Sequence, residues 1–317
     1  MNRGRPVRGE DLWWIRPGTR GGTDAAGSRI GELLSRCTFP PAGASAVCAL
    51  SGGADSAAMT VLAVAAGCDA TAVHIDHGLR DDSGRDAIVA ATLADRLGIP
   101  IRVERADIPE GPNLEARARA ARRSMLGPEA LTGHTVDDQA ETVLLALIRG
   151  SGARGLAAMA PTGHPILRLR RSETRELCAL LGIHVARDPS NEDRRFWRNR
   201  VRGEVLPLLG DIADRDVAPL LVRTAALLRE DDEVLCRLAA ELDPTDAGAL
   251  RDAPPPLARR AVRAWLTADG YPPDAAAIER VLEVARGVRV ACELSGGRRV
   301  HRRNQRLSVF ANRPGPE

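Results

Sequence analysis

The run Ser51-Gly52-Gly53-Ala54-Asp55-Ser56 constrains this chain more than any other stretch of its sequence. An apolar segment at 46–50 precedes it and predicts a buried strand, and residues 57–66 after it predict a helix. Paired glycines let the backbone approach a phosphate closely, and a helix start supplies free N–H groups and a favourable dipole. The pattern predicts an anion-binding loop. The alternative is an ordinary strand-to-helix turn capped by serine and aspartate.

Predicted strands and helices alternate from residue 46 onward. The strands fall at 46–50, 70–76, 99–104 and 130–133, and the helices at 57–66, 85–97, 113–126 and 136–148. This alternation predicts an α/β fold with a doubly wound parallel sheet, which binds ligands at the carboxyl ends of its strands. His77 and His134 lie at two such strand ends.

The pattern becomes helical after about residue 200 and ends in a hairpin-like turn at 294–298 between apolar flanks. We therefore expect three parts. They are an N-terminal extension with a short helix (1–45), the α/β domain (46–205), and a smaller, mainly helical domain with a C-terminal β-hairpin (206–317).

The composition permits a nucleic-acid partner without requiring one. The 317 residues carry a net charge of +3, and all 45 basic residues are arginine, whose planar fork suits phosphate. None of the six cysteines forms a CxxC pair, which predicts reduced core thiols. We expect a cytoplasmic protein, because we find neither a signal-peptide pattern nor an apolar run long enough to span a bilayer.

The segment 133–142 opens a predicted helix with imidazole and acid groups. Asp138 and Glu141 are three residues apart and share a helix face, with His134 at the entrance. Such a carboxylate pair can hold an ammonium group or Mg²⁺, or accept a proton. A purely structural interpretation is about equally good, because Thr135 and Asp138 fit a capping box.

Five arginines alternate with two aromatic residues in the segment 193–202. This favours contact with nucleic acid, through Arg195, Arg200 and Arg202 to phosphate and Trp197 or Phe196 to a base. The alternative is a solvated turn followed by a helix. A second arginine cluster at 298–306 fits a solvated strand face as well as it fits RNA contact. His74 and His77 form an HxxH, for which a place of His77 beside a nucleotide is a better interpretation than metal binding.

These motifs together resemble the tRNA(Ile)-lysidine synthetase family of the ATP-pyrophosphatase, or PP-loop, superfamily. The resemblance rests on ordered strings: SGGADS (51–56), HIDHGLR (74–80), NLEARARAARR (113–123), GHTVDDQAETVLLALIRGSGARGL (133–156) and DPSNEDRRFWRNRVRGEVLPLL (188–209). The chain resembles the short family form, which lacks the last tRNA-binding domain. It departs at Ser124, where the family usually has an aromatic residue, and before residue 46.

The resemblance implies an adenine nucleotide α-hydrolase-like fold and an ATP-dependent ligation of lysine to C2 of the wobble cytidine of a CAU-anticodon isoleucine tRNA. It implies ATP and Mg²⁺ as cofactors and no membrane, and a homodimer is compatible with it. Catalytic roles would fall to Asp55, Asp138, Glu141 and His134, with Asp55 also a metal ligand. ATP would bind at Ser51, Gly52, Gly53, Ala54, Asp55, Ser56 and His77, and tRNA at Arg195, Trp197, Arg200 and Arg202.

Two other functions stay open at this point. One is a different PP-loop tRNA-modifying activity, 2-thiolation, which needs cysteines that carry sulfur. The other is a non-catalytic RNA-binding relative, which would not need Asp55 or the acidic helix start.

Overall fold

The computed structural model describes residues 24–76, 83–106, 121, 124–186, 193–268 and 273–311. The chain divides into two compact units, one up to residue 225 and one from residue 226. The predicted functional boundary between 46–205 and 206–317 stays a prediction.

The first unit is built on a parallel sheet with the strand order β1-β2-β3. The strands are β1 (Ser45–Ala49), β2 (Asp69–Asp76) and β3 (Ile101–Arg105). Ala46 pairs with Ala70, and Ala72 pairs with Ile101. An isolated parallel bridge from Cys48 to Leu131 brings residues 132–134 to the carboxyl edge of the sheet, beside the loop that follows β1. The predicted α/β class with parallel strands is confirmed.

Helices cover this sheet and supply most of its core. They are α1 (Asp24–Leu34), α2 (Ala54–Ala65), α3 (Ser83–Leu97), α4 (Val136–Ile148), α5 (Ala153–Leu156) and α6 (Arg171–Leu180). The core consists of small and aliphatic side chains, with Ile30, Leu50, Met59 and Ile166 fully buried. Because α2 is apolar around most of its circumference, it lies in the centre of this core.

The arginine–aromatic segment forms an unusual helical run. A single turn, α7 (Trp197–Arg200), leads directly into a π-helix (Val201–Val205), which leads into α8 (Leu206–Ala213) and then α9 (Ala218–Ala240). The division between the two units falls inside α9. Val201 is buried against α4, which fixes this run over the acidic helix.

The second unit contains α10 (Ala247–Asp252), α11 (Pro255–Ala268) and α12 (Ala275–Arg286), followed by strands β4 (Ala291–Leu294), β5 (Arg298–Arg303) and β6 (Arg306–Ala311). The strands form an antiparallel sheet in the order β4-β5-β6. The expected hairpin is present between β4 and β5, but a second hairpin follows it. Its turn places Asn304 and Gln305 at positive φ, and glutamine is an uncommon residue there, so its sequence signal is weak.

Among the described helices, none is both long and apolar enough to cross a membrane.

Candidate active site

The loop after β1 is tied internally by its two serines. Ser56 Oγ donates to the Gly53 carbonyl (2.9 Å) and accepts from the Ser51 N–H (3.1 Å), and the two hydroxyl oxygens lie 3.0 Å apart. Gly53 is the N-cap of α2, so the first amides of that helix have no intrahelical acceptor and point outward. The loop therefore offers a preformed set of donors for an anion.

Two glycines explain why this loop has its shape. Gly52 adopts φ +88°, and a Cβ there would lie 3.2 Å from the Asp86 carbonyl oxygen. Gly133 packs so closely on the start of α2 that a Cβ would meet the Asp55 carbonyl at 2.6 Å. Gly53 is different, because a Cβ at this position would contact only Ser51 Oγ, at 3.7 Å. Gly53 therefore leaves open space on the ligand side.

Asp55 is held at the start of α2 by residues from α6. Thr174 donates its hydroxyl to Oδ1, and Arg171 Nε lies 3.5 Å from Oδ2. Burial raises the pKa of Asp55, and the Thr174 hydrogen bond opposes this. The side chain of Asp55 is 25% exposed, so solvent reaches it.

Glu141 is fully buried and bound by three guanidinium groups. Its Oε1 accepts from Arg171 Nη1 (3.1 Å) and Arg202 Nε (2.7 Å). Its Oε2 accepts from Arg198 Nε (2.7 Å) and Arg202 Nη2 (3.1 Å). Each oxygen thus uses both of its lone-pair positions.

One carboxylate oxygen of Asp138 accepts hydrogen bonds from the helix cap, and the other accepts them from arginines. Oδ2 accepts from the Thr135 N–H (2.9 Å) and hydroxyl (2.8 Å), and the capping box is present. Oδ1 accepts from Arg171 Nη2 (2.8 Å) and Arg198 Nη2 (3.0 Å). Burial alone would raise the pKa of Asp138, but the charges of Arg171 and Arg198 outweigh it and lower that pKa to about 2.

Arg171 therefore joins Asp55, on the loop that follows β1 (51–56, called the phosphate loop below), to the carboxylate pair of α4. A cavity of about 410 Å³ lies against this network. Its lining carries both signs of charge, from Asp137, Glu141, Arg170, Arg171, Arg202, Arg215 and Asp216. An ammonium-bearing zwitterion fits such a lining because it can meet a partner for each of its charges.

His134 belongs to a small cluster beside the phosphate loop. Its Nδ1 lies 2.9 Å from Thr132 Oγ1 and 3.2 Å from Nδ1 of His164, and the two rings meet edge to face. His134 also acts on Asp138 through its charge, which helps to lower the pKa of that carboxyl. His74 is buried, with its Nδ1 2.8 Å from the Leu50 carbonyl, a structural role. His77 lies outside the described residues, as do most of 113–123 and residues 187–192.

The four residues of the arginine–aromatic segment (193–202) that are expected to contact tRNA lie in two different environments. Trp197 is 58% exposed, and Arg195 and Arg200 reach solvent, paired with Asp193 and Glu204 respectively. Ion pairs this exposed are weak because water screens them, so a phosphate can replace them. Arg202 instead donates to Glu141 through Nε and Nη2, so a phosphate contact through these groups stays a prediction that requires them to leave Glu141. A second cavity, of about 400 Å³, is lined by Arg149, Arg195, Phe196, Trp197 and Arg198 among others.

A resident metal centre is not assembled within the described part of the chain, where no group of three or more histidine, cysteine or acidic side chains could hold an ion. Asp55 offers its carboxylate at the phosphate loop, with Oδ1 bonded by Thr174 and Oδ2 3.5 Å from Arg171 Nε. One carboxylate beside nucleotide phosphates is a usual setting for Mg²⁺, so Asp55 fits an ion that enters together with a nucleotide.

Sequence reasoning missed Arg171, Thr174, Arg198 and His164. Arg198 and Arg202 are four residues apart, a spacing that predicts one helix face and could have identified Arg198. The other three come from parts of the chain distant from the motifs that they contact, and no local pattern marks them.

Family models match most of the chain. Residues 27–209 match the PP-loop domain family, and residues 246–308 match the TilS substrate binding domain. Among solved structures, the U34-tRNA thiolase NcsA from Methanococcus maripaludis superposes with a TM-score of 0.52 at 16% identity. The match covers 64% of this chain and 78% of that one, and it supports the fold alone.

Curated relatives are much more similar. The tRNA(Ile)-lysidine synthase of Nocardia farcinica is 48% identical over 249 residues, which are 73% of this chain and 78% of the relative. The enzyme of the same name from Mycobacterium bovis is 40% identical over 293 residues, 84% and 90% of the two chains. The chain therefore belongs to the tRNA(Ile)-lysidine synthase family, with a PP-loop ATP-binding domain and a TilS substrate binding domain.

Proposed function

We propose that this chain uses ATP to join lysine to C2 of the wobble cytidine in an isoleucine tRNA with a CAU anticodon. The observation that carries the proposal is the position of Arg171, which links Asp55 of the phosphate loop to Asp138 and Glu141. A nucleotide site and an ammonium site are thereby held next to each other. A ligase that first adenylates its substrate and then admits an amine needs this arrangement.

The first step transfers AMP to the cytosine. The cytidine O2 attacks the α-phosphorus of ATP and diphosphate leaves, which gives C2 a leaving group. We assign the diphosphate to the backbone N–H groups and hydroxyls of residues 51–56, where the start of α2 favours an anion. Asp55 would be the protein ligand of a Mg²⁺ ion bound with ATP, which would offset phosphate charge.

The second step forms the carbon–nitrogen bond. The ε-amine of lysine attacks C2 and AMP leaves, so the ammonium group must first lose a proton. Asp138 and Glu141 hold this ammonium group in our proposal, and one of them takes its proton. His134 is assigned a supporting role through its charge beside Asp138.

The cytidine reaches this site by leaving its stack, and Trp197 is our candidate for stacking the extruded base. Its exposed ring and the neighbouring cavity with Phe196, Arg195 and Arg149 support this assignment. Arg195 and Arg200 are assigned to tRNA phosphates. We place ATP chemistry in residues 46–205 and further tRNA contacts in 206–317, and a homodimer stays compatible with these assignments.

The 2-thiolation alternative is less well supported by the cysteines. Burial raises the pKa of Cys37, Cys48 and Cys178 to about 12, so these thiols stay protonated and unreactive. A purely RNA-binding role does not explain why Asp138 and Glu141 are buried together and joined through Arg171 to the half-buried Asp55 of the phosphate loop.

Mass spectrometry of nucleosides tests the proposed function. The full chain is incubated with Mg·ATP, isotope-labelled lysine and a CAU-anticodon isoleucine tRNA transcript. We expect label in the wobble nucleoside, and none when methionine tRNA or ornithine replaces the proper substrate. ATP consumption without labelled nucleoside would refute the proposal.

A further inference from the structure

The two carboxylates assigned to the lysine ammonium already have a full set of hydrogen-bond donors. Among the described residues, the donors to Glu141 all come from guanidinium groups, with two N–H donors on each oxygen. Asp138 accepts from the helix cap on Oδ2 and from Arg171 and Arg198 on Oδ1. An ammonium group has three donors and no acceptor, so it can bind here only where one of these donors leaves.

Arg198 is the donor whose departure opens the right place. Within the described part of the chain, Arg202 bonds Glu141 and not Asp138, and Thr135 is the buried cap of α4. Arg171 touches both carboxylates but also lies against Asp55 and is the most buried of the three arginines. Arg198 gives Nε to Glu141 and Nη2 to Asp138, so its removal frees one position on each. A single ammonium group can then bridge the two.

Charge balance favours exchange over simple addition. Three carboxylates, of Asp55, Asp138 and Glu141, face three guanidinium groups. Adding a substrate ammonium to this balanced and mostly buried network would leave an unpaired positive charge, which is costly. Replacing the Arg198 guanidinium with the ammonium keeps the balance.

The segment that carries Arg198 is suited to respond to RNA. Arg198 follows the exposed Trp197, and both line the second cavity together with Arg195 and Phe196. The π-helix begins three residues after Arg198, and such turns are rare and frequent at functional sites. A phosphate that enters this cavity offers the guanidinium a bidentate partner in exchange for its two carboxylate bonds.

We propose that Arg198 is a positioning residue that closes the ammonium site, and that a tRNA phosphate draws its guanidinium away so that lysine binds after tRNA. This regulation rests on the proposed function. It has a chemical benefit, because the charge of Arg198 is one cause of the low pKa of Asp138. Release of Arg198 makes Asp138 a stronger base at the moment when an ammonium group arrives.

Equilibrium dialysis of labelled lysine against the full chain, without ATP, tests this order of binding. We expect the isoleucine tRNA transcript to strengthen lysine binding to the parent protein by about tenfold or more, equivalent to ~1.4 kcal/mol. Arg198→Ala should bind lysine without tRNA about as tightly as the parent does with tRNA. Arg194→Ala is the matched control, because Arg194 lies on the same segment but pairs with the exposed side of Glu204.

Arg198→Gln provides a second variant if the alanine variant does not fold, and thermal melts with and without lysine accompany both. The proposal is overturned if folded Arg198 variants bind lysine no more tightly than the parent without tRNA. It is also overturned if tRNA leaves lysine binding to the parent unchanged. If either of these results is obtained, the mass-spectrometric assay separates the two hypotheses. Labelled lysine in the wobble nucleoside would show that only the binding order is wrong. Absence of label would show that the proposed function itself has failed.

Discussion

Substitution of Glu141 by glutamine tests the central network, because it removes the charge and keeps the shape. Three arginines would then surround a neutral amide, and the new NH₂ group would face their N–H donors. Removing one partner of a buried ion pair costs ~3–5 kcal/mol. The arginine side chains are 15%, 21% and 30% exposed, so solvent screens part of this loss. We expect the lower end, ~3 kcal/mol, against a usual total of 5–15 kcal/mol for a domain.

Urea unfolding of the full chain, followed by circular dichroism, measures this cost in the transition of the first unit. Glu204→Gln is the control, because the ion pairs of Glu204 with Arg194 and Arg200 are solvent-screened and their loss should cost much less than that of the Glu141 pairs. Arg202→Gln completes a double-mutant cycle, since Arg202 donates to Glu141 through both Nε and Nη2. The double variant should cost clearly less than the sum of the single ones. Equal costs for Glu141→Gln and Glu204→Gln, or strict additivity with Arg202→Gln, would refute the network.

Further outcomes follow from other parts of the site. Gly53→Ala should keep or slightly raise stability while weakening ATP binding in titration calorimetry. Gly52→Ala should instead lower the melting temperature, because φ is +88° there. An unchanged ATP affinity in folded Gly53→Ala would show that Gly53 does not contact phosphate. Arg200→Ala should weaken tRNA binding and flatten its salt dependence, while Trp197→Ala should lower the ligation rate with little change in salt slope. The pKa of Asp138 is lowered to about 2, so its ionised carboxylate stabilises the fold above pH ~4. This stabilisation should fade as the pH falls from about 4 toward 2, and it should be absent in Asp138→Asn.

Most of the fold could be predicted because its signals are local. Alternating apolar strands and helices predicted the parallel sheet, and Thr135 with Asp138 predicted the start of α4 at the correct residue. Period and capping depend on neighbours within one or two turns, so a single sequence contains them. The second C-terminal hairpin could not be predicted, because Asn304-Gln305 is a weak turn signal.

The contacts that complete the site could not be predicted in this way. Thr174 and Asp55 are 119 residues apart in sequence, and Arg198 and Asp138 are 60 apart. Which distant residues meet depends on how the helices pack on the sheet. Composition made the problem harder, because every basic residue here is arginine and a guanidinium aimed at a carboxylate looks the same in sequence as one aimed at a phosphate.

Asp138 shows why a capping interpretation and a functional interpretation need not compete. The two are equally supported in the sequence, and the structure gives each of them one oxygen of the same carboxylate. The cap fixes the rotation of the side chain, because Oδ2 is held by both the N–H and the hydroxyl of Thr135. Oδ1 must then point toward Glu141 and the arginines. The capping box therefore orients the oxygen that faces the arginines, and replacing Thr135 with alanine would loosen the proposed ammonium site as well as the helix end.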